Sequence, residues 1–210
     1  MTNARRGRPI EYDRDLTLQR ARDLFWSIGF AASSLDALSD ATQLTRPSLA
    51  GAFGDKEALY VATLARYRDA SVAALSKILS GSRRFRTELT DVYAKATDVY
   101  MASDGAARGC LLIGTASVEA VRRPAIRHVL RESLGTFNAI LEQRMRKAIA
   151  DGELDSGVDA VGLAAVASAV MHSLAVRARA GDSRHALDKL SKAAVDLICG
   201  HAAKRRSSAS

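Results

Sequence analysis

The sequence predicts an all-α chain, a short helical head followed by a longer helical body, on three observations. Only 3 of the 210 residues are proline, and alanine and leucine abound, so little interrupts a helix. Apolar residues recur at three- and four-residue steps along most of the chain. Between residues 33 and 60 the run SSLDALSDATQLTRPSLAGAFGDKEALY fits two short helices, a tight turn and the start of a third, the pattern of a helix-turn-helix.

Asp13 is placed to cap a first helix reaching about Ile28, with Leu16, Ala21, Leu24, Phe25 and Ile28 on its apolar side and Gly29 as its stop. Ser34 caps a second helix whose inward residues are Leu35, Leu38 and Ala41, and Leu44 reads as a buried plug in the turn. Thr45 caps a third. Pro47 falls in its first turn, where a missing N–H is harmless, Leu49 and Phe53 face inward, and Arg46 and Ser48 face out. After Gly54, Asp55 opens a long fourth helix through Leu59, Leu64, Tyr67, Leu75 and Ile78 that joins head to body.

Further helices are expected around Leu89, Val92, Tyr93, Ala96 and Tyr100, from Cys110 to Val121, and from Pro124 to Ile149. Asp159 and Ser183 cap the last two, separated by Gly181-Asp182. So short a connection makes them antiparallel neighbours. Their apolar positions Leu163, Val166, Val170, Leu174, Leu187, Leu190, Val195 and Ile198 exceed what one helix pair hides. Either a second copy completes a four-helix bundle across a twofold axis, or the helix from Pro124 covers them within the chain. The expected division is a head at 1–55, a body at 56–203 and a basic, Ser-rich tail at 204–210.

Net charge is +8, which suits a polyanionic partner as well as simple solubility. Arg5, Arg6 and Arg8 cluster at the start, and Lys204, Arg205 and Arg206 near the end. Two cysteines, Cys110 and Cys199, make no disulfide framework, and no apolar stretch follows the initial arginines, so a reducing cytoplasm is inferred. The longest uncharged stretch, Ala160 to Val176, falls short of the roughly 20 residues that cross a bilayer. Neither catalytic motifs nor metal-ligand spacing is visible, His128, His172, His185 and His201 being far apart. No enzyme, cofactor or metal site is expected.

Taken in order, GRPIEYDRD, LFWSIGFAASSLDALSDAT and RPSLAGAFGDKEALY resemble the amino-terminal domain of the TetR family of transcriptional repressors, over roughly residues 7 to 67. Gly109-Cys110-Leu111-Leu112 is similar to a run in one branch of that family. Two positions depart from the family pattern: Gln43 stands where glycine is usual in the turn, and Ala50 where a tyrosine usually meets a phosphate.

The resemblance implies a homodimeric one-component regulator, most often a repressor, that binds a palindromic double-stranded DNA operator and is released by a small-molecule inducer. Arg46, Ser48 and Gln43 are then the candidates for base edges, and Ser34, Thr45 and Lys56, at helix starts, for phosphates. Arg5, Arg6 and Arg8 suit the minor groove or the backbone beside it. In a TetR-like body, Tyr93, Tyr100, Met101, Cys110, Phe137, Met171 and His172 are candidates for lining an effector cavity, though each also reads as core. Cys110 is either an inert buried thiol or, near Arg108, an activated one. The alternative is a helical interaction protein that has kept a weakly DNA-binding head.

Overall fold

A computed structural model describes residues 12–102 and 106–200, and among them every regular element is helical. Arg5, Arg6, Arg8, His201, Lys204, Arg205 and Arg206 lie outside the described residues. The chain divides into two compact units, one through Thr63 and one from Leu64 onward.

In the first unit, α1 spans Arg14–Ala32, capped by Asp13, whose carboxylate accepts the Asp15 and Leu16 amides at 2.9 and 3.0 Å. Helical geometry fails at Gly29 (φ 79°, ψ 169°), where the chain kinks before one more turn, so glycine stops the first run as expected. The buried stripe is Leu18, Ala21, Phe25 and Trp26. Leu16 and Ile28, expected inside, are 41% and 46% exposed. The correction is one of helical phase: Leu18, Ala21 and Phe25 already complete an i, i+3, i+7 face, and Leu16 and Ile28 flank it.

Next come α2 (Leu35–Thr42) and α3 (Arg46–Phe53), and the first two turns of α4 (Lys56–Ile78) complete the head. Leu38 is fully buried and Leu49 and Leu44 nearly so, whereas Leu35, also expected inside, is exposed. Tyr60 of α4 packs edge-on against Phe25 with ring centroids 4.7 Å apart and lies 5.0 Å from Phe30. The boundary between the units therefore falls inside α4.

The second unit holds the rest of α4, α5 (Phe85–Met101), a π-helical turn (Leu112–Ala116) running into α6 (Ser117–Glu119), α7 (Pro124–Ala150), α8 (Ala160–Arg179) and α9 (Arg184–Cys199). The run expected as one helix from Cys110 to Val121 is thus a π turn followed by a single α turn. Gly109 (φ 66°) explains why this entry is irregular. A Cβ there would stand 2.7 Å from the Ala175 carbonyl, so only glycine lets the segment lie against α8.

Helix α8 packs on α7, α5 and α9, burying Ala164, Ala167, Ser168, Met171, Leu174, Ala175 and Ala178. At 20 residues it is long and apolar enough to cross a membrane, which corrects the shorter span read from the uncharged stretch. Its polar Ser168 and the tight face it presents to three helices fit the core of this unit.

At one end of the body an ion-pair cluster has a buried centre. Arg144 of α7 donates through Nε to Glu88 of α5 at 2.5 Å, and through Nη2 to Glu153 at 3.1 Å and to the Arg83 carbonyl at 3.0 Å. Glu88 also accepts the Gly81 and Arg83 amides at 3.0 and 3.2 Å. Glu88 is 0% and Arg144 3% exposed. The cluster ties the α4–α5 loop to the end of α7.

Candidate functional site

Two places carry the candidate residues, the turn region of the head and a cavity in the body. In the head, the Ser34 hydroxyl accepts the Ala37 amide at 3.0 Å, and Thr45 Oγ1 accepts the Ser48 amide at 3.3 Å while pairing with Ser48 Oγ at 2.9 Å. Both hydroxyls do the capping that their positions suggested. Gln43 is, among the described residues, the only non-glycine with positive φ, at 62°. Its side-chain amide folds back to donate to the Asp40 carbonyl at 2.6 Å. A local hydrogen bond of this kind compensates in part for the left-handed strain of a residue with a Cβ.

Arg46 is exposed at the start of α3, where its guanidinium forms a two-pronged ion pair with Asp36 of α2, Nε donating to Oδ1 at 2.6 Å. The hydrogen bond and charge of Asp36 raise the Arg46 pKa, and Arg46 in turn lowers that of Asp36. Sequence reading missed Asp36, because an acidic residue in a helix's first turn is explained by the helix dipole alone. Its partner ten residues on is set by how α2 and α3 cross. Ala50 and Gly51 are exposed on α3, and a Cβ added at Gly51 would meet nothing within 4 Å. Lys56 is half-buried, with its ammonium 4.4 Å from the centre of the Phe30 ring.

The body cavity is about 110 Å³ and is lined by Tyr67, Ser71, Ala74, Leu75, Ile78, Val92, Lys95, Ala96, Val99, Tyr100, Cys110, Phe137 and Met171. Of the expected residues, Tyr100, Cys110, Phe137 and Met171 line it; Tyr93, Met101 and His172 do not. Each of the last two adjoins a lining residue, Tyr100 or Met171, and one helical step rotates a side chain by roughly 100°. Tyr93 is instead core, its hydroxyl donating to the Ala167 carbonyl at 3.2 Å across α5 and α8. Tyr67, Ser71 and Lys95 were not anticipated. Tyr67 lies on the apolar stripe of α4, where its hydroxyl gave no separate signal, and Lys95 borders the apolar face of α5.

The Tyr67 hydroxyl donates to Cys110 Sγ at 3.6 Å. Burial pushes the Cys110 thiol up from its ordinary value, opposed by hydrogen bonds from Ile113, Tyr67, Leu112 and Tyr100. Burial likewise pushes the Tyr67 and Tyr100 phenols well up. Of the two readings of Cys110, its burial fits the unactivated thiol. Cys199 is raised by burial to about 11.

The expected partner-facing positions divide sharply. Leu174, Leu187, Val195 and Ile198 are between 0% and 4% exposed within a single chain, so they belong to the subunit core, where α5 and α7 pack on α8 and α5 packs on α9. That corrects the partner-facing expectation for these four: the helix from Pro124, α7, packs against the helix of Leu174, while α5 and α8 pack against the helix of the other three. Val166 is 48% exposed, joined by Val161, Val176 and Leu197, while Leu163, Val170 and Leu190 are half-buried.

Comparison with known proteins agrees with both halves of this arrangement. Residues 18–63 match the family described as bacterial regulatory proteins, tetR family, and residues 87–194 match the tetracyclin repressor-like C-terminal domain. The HTH-type transcriptional repressor ComR of Escherichia coli strain K12 is 30% identical over 186 residues, 88% of this chain and 87% of that protein. Among solved structures, the TetR family regulator CifR, a cysteine mutant complexed with 26-base-pair operator DNA, is 34% identical with a TM-score of 0.77, covering 90% of this chain and 98% of that one. The reduced form of Escherichia coli NemR shares the fold at 21% identity and a TM-score of 0.78, over 90% of this chain and 98% of that one. A helix-turn-helix head with a separate cavity-bearing helical body defines a transcriptional regulator of the one-component type. The chain belongs to the TetR family.

Proposed function

We propose that this regulator is a cytoplasmic repressor that binds a palindromic operator as a homodimer and is released when a small molecule occupies the body cavity. The observation that carries the reading is the exposed start of α3, where the left-handed turn at Gln43 and the Thr45 cap leave Arg46 exposed, with Ser48 half-buried beside it. Arg46 and Ser48 are assigned to base edges, and Gln43 beside them. Ser34, Thr45 and Lys56 are assigned to phosphates, with Arg5, Arg6 and Arg8 as the arm. CifR, 34% identical, is held on operator DNA in its structure, and the name of ComR describes a repressor; both support the reading. The exposed valines of α8 with Leu163, Val170, Leu190 and Leu197 supply the apolar face for a second copy. Catalysis has no part in it.

Titrating salt against binding to duplexes from the DNA upstream of the protein's own gene tests the proposal. Phosphate contacts should make affinity fall steeply with salt, by a slope of about 0.9 per phosphate neutralised. Arg46→Ala should lose more on the operator than on a scrambled duplex. A flat salt dependence would favour the helical interaction protein, for which the small Ala50 on α3 is the supporting observation.

A further inference from the structure

The body cavity is chemically lopsided. Its inner end is neutral and buried: Tyr100 and Cys110 are 8% and 7% exposed, and the Tyr67 hydroxyl donates to Cys110 Sγ at 3.6 Å. Lys95 is the only charged side chain in the lining. It is exposed, so it stands where the cavity meets solvent, and it has no ion-pair partner among the described residues. Between these ends the walls are aliphatic and aromatic, with Val92, Phe137 and Met171 among them.

An anion driven to the inner end would be desolvated with no charged side chain in the cavity wall there, at high cost, whereas at Lys95 it keeps water and gains an opposite charge. Size sets a second limit. A cavity of about 110 Å³ is smaller than the roughly 150 Å³ of an engineered apolar cavity that binds benzene, so the apolar part of an occupant is at most one ring or a short branched chain.

We propose that this cavity takes a small amphipathic monocarboxylate, its apolar body between Val92, Phe137 and Met171 and its carboxylate at the rim on Lys95 Nζ. The inference rests on the effector reading above and names the ligand's class. The phenols and thiol at the inner end are neutral near pH 7, their titrations pushed up by burial. They offer hydrogen bonds without attracting charge, so orientation is set by Lys95.

Calorimetric titration of the full-length protein with benzoate and with benzamide, its uncharged near-isostere, tests this. Benzoate should bind about three- to tenfold more tightly, the range for a charge-assisted contact discounted for exposure. Lys95→Met, which keeps the stem and removes the charge, should abolish the preference while leaving benzamide unchanged, and Lys95→Arg should restore it. Equal binding of the two probes, a preference that survives Lys95→Met, or no binding of either overturns the ligand class. Any of those results obtained with salt-dependent operator binding intact leaves the regulator reading standing. Loss of operator binding with the benzoate preference intact does the reverse.

Discussion

Replacing Glu88 should destabilise the body more than any surface change, because one carboxylate there satisfies three donors at once. It takes the Gly81 and Arg83 amides and the Arg144 guanidinium, at 0% exposure. In Glu88→Ala both amides lose their acceptor, and Arg144, 3% exposed, keeps only Glu153 and the Arg83 carbonyl. Breaking a buried pair by removing one partner costs about 3 to 5 kcal/mol. Glu88→Gln, which keeps an acceptor for the amides and loses the charge, should cost about half as much, near the 1.5 to 3 kcal/mol of a charge-assisted hydrogen bond. Urea unfolding followed by far-ultraviolet circular dichroism at fixed protein concentration measures both. A drop below about 1 kcal/mol for Glu88→Ala would refute the reasoning, since it would mean the Arg144 end reaches water or a substitute partner without strain. Glu88→Gln losing more than Glu88→Ala would refute it too.

Three other outcomes are expected. Val166→Arg should convert a dimer of about 45 kDa, twice the 22.5 kDa chain, into folded monomers by light scattering, whereas Leu174→Arg, at a position 0% exposed within the subunit, should unfold it. Ala50→Tyr should tighten binding to operator and scrambled duplexes alike by up to about tenfold, one neutral hydrogen bond to a phosphate, as read by fluorescence anisotropy; a gain on the operator alone would show a base contact instead. Burial holds the His172 pKa below its ordinary 6.5, so the unfolded chain takes up the proton first. Stability from this group is complete above about pH 6.5 and is lost as pH falls from there toward the folded value. His172→Gln should flatten that part of the acid side of the urea midpoint against pH.

Local chemistry made the head legible. Asp13, Ser34 and Thr45 there, and Ser183 in the body, are capping residues, and each caps the helix its position announced, because a cap depends on residues within one turn. Leu44 and Pro47 were equally local. What stayed hidden depends on how helices meet. The Glu88–Arg144–Glu153 cluster joins residues up to 65 positions apart, and the Arg46–Asp36 pair depends on the crossing of two helices. Faces proved harder than elements: Leu16, Ile28 and Leu35 are exposed, and Leu174, Leu187, Val195 and Ile198 are covered, although all seven are apolar at helical spacing. Periodicity states that a helix has an apolar side, while which neighbour covers it is decided by packing between segments distant in sequence. The cavity shows the same limit, since Tyr100 is part of its wall and adjacent Met101 is not.

Trp26, 6% exposed on α1, is the sole tryptophan of the chain, and it gives the head an optical identity of its own. From Leu64 onward there is no indole, so its emission responds to events there only where they reach the head. A titration watched at that wavelength records arrival at DNA or melting of the first unit, and the same titration watched by calorimetry records both units. Binding in the body that leaves the indole unmoved and binding that shifts it are thus distinguishable in the unlabelled, unmutated protein.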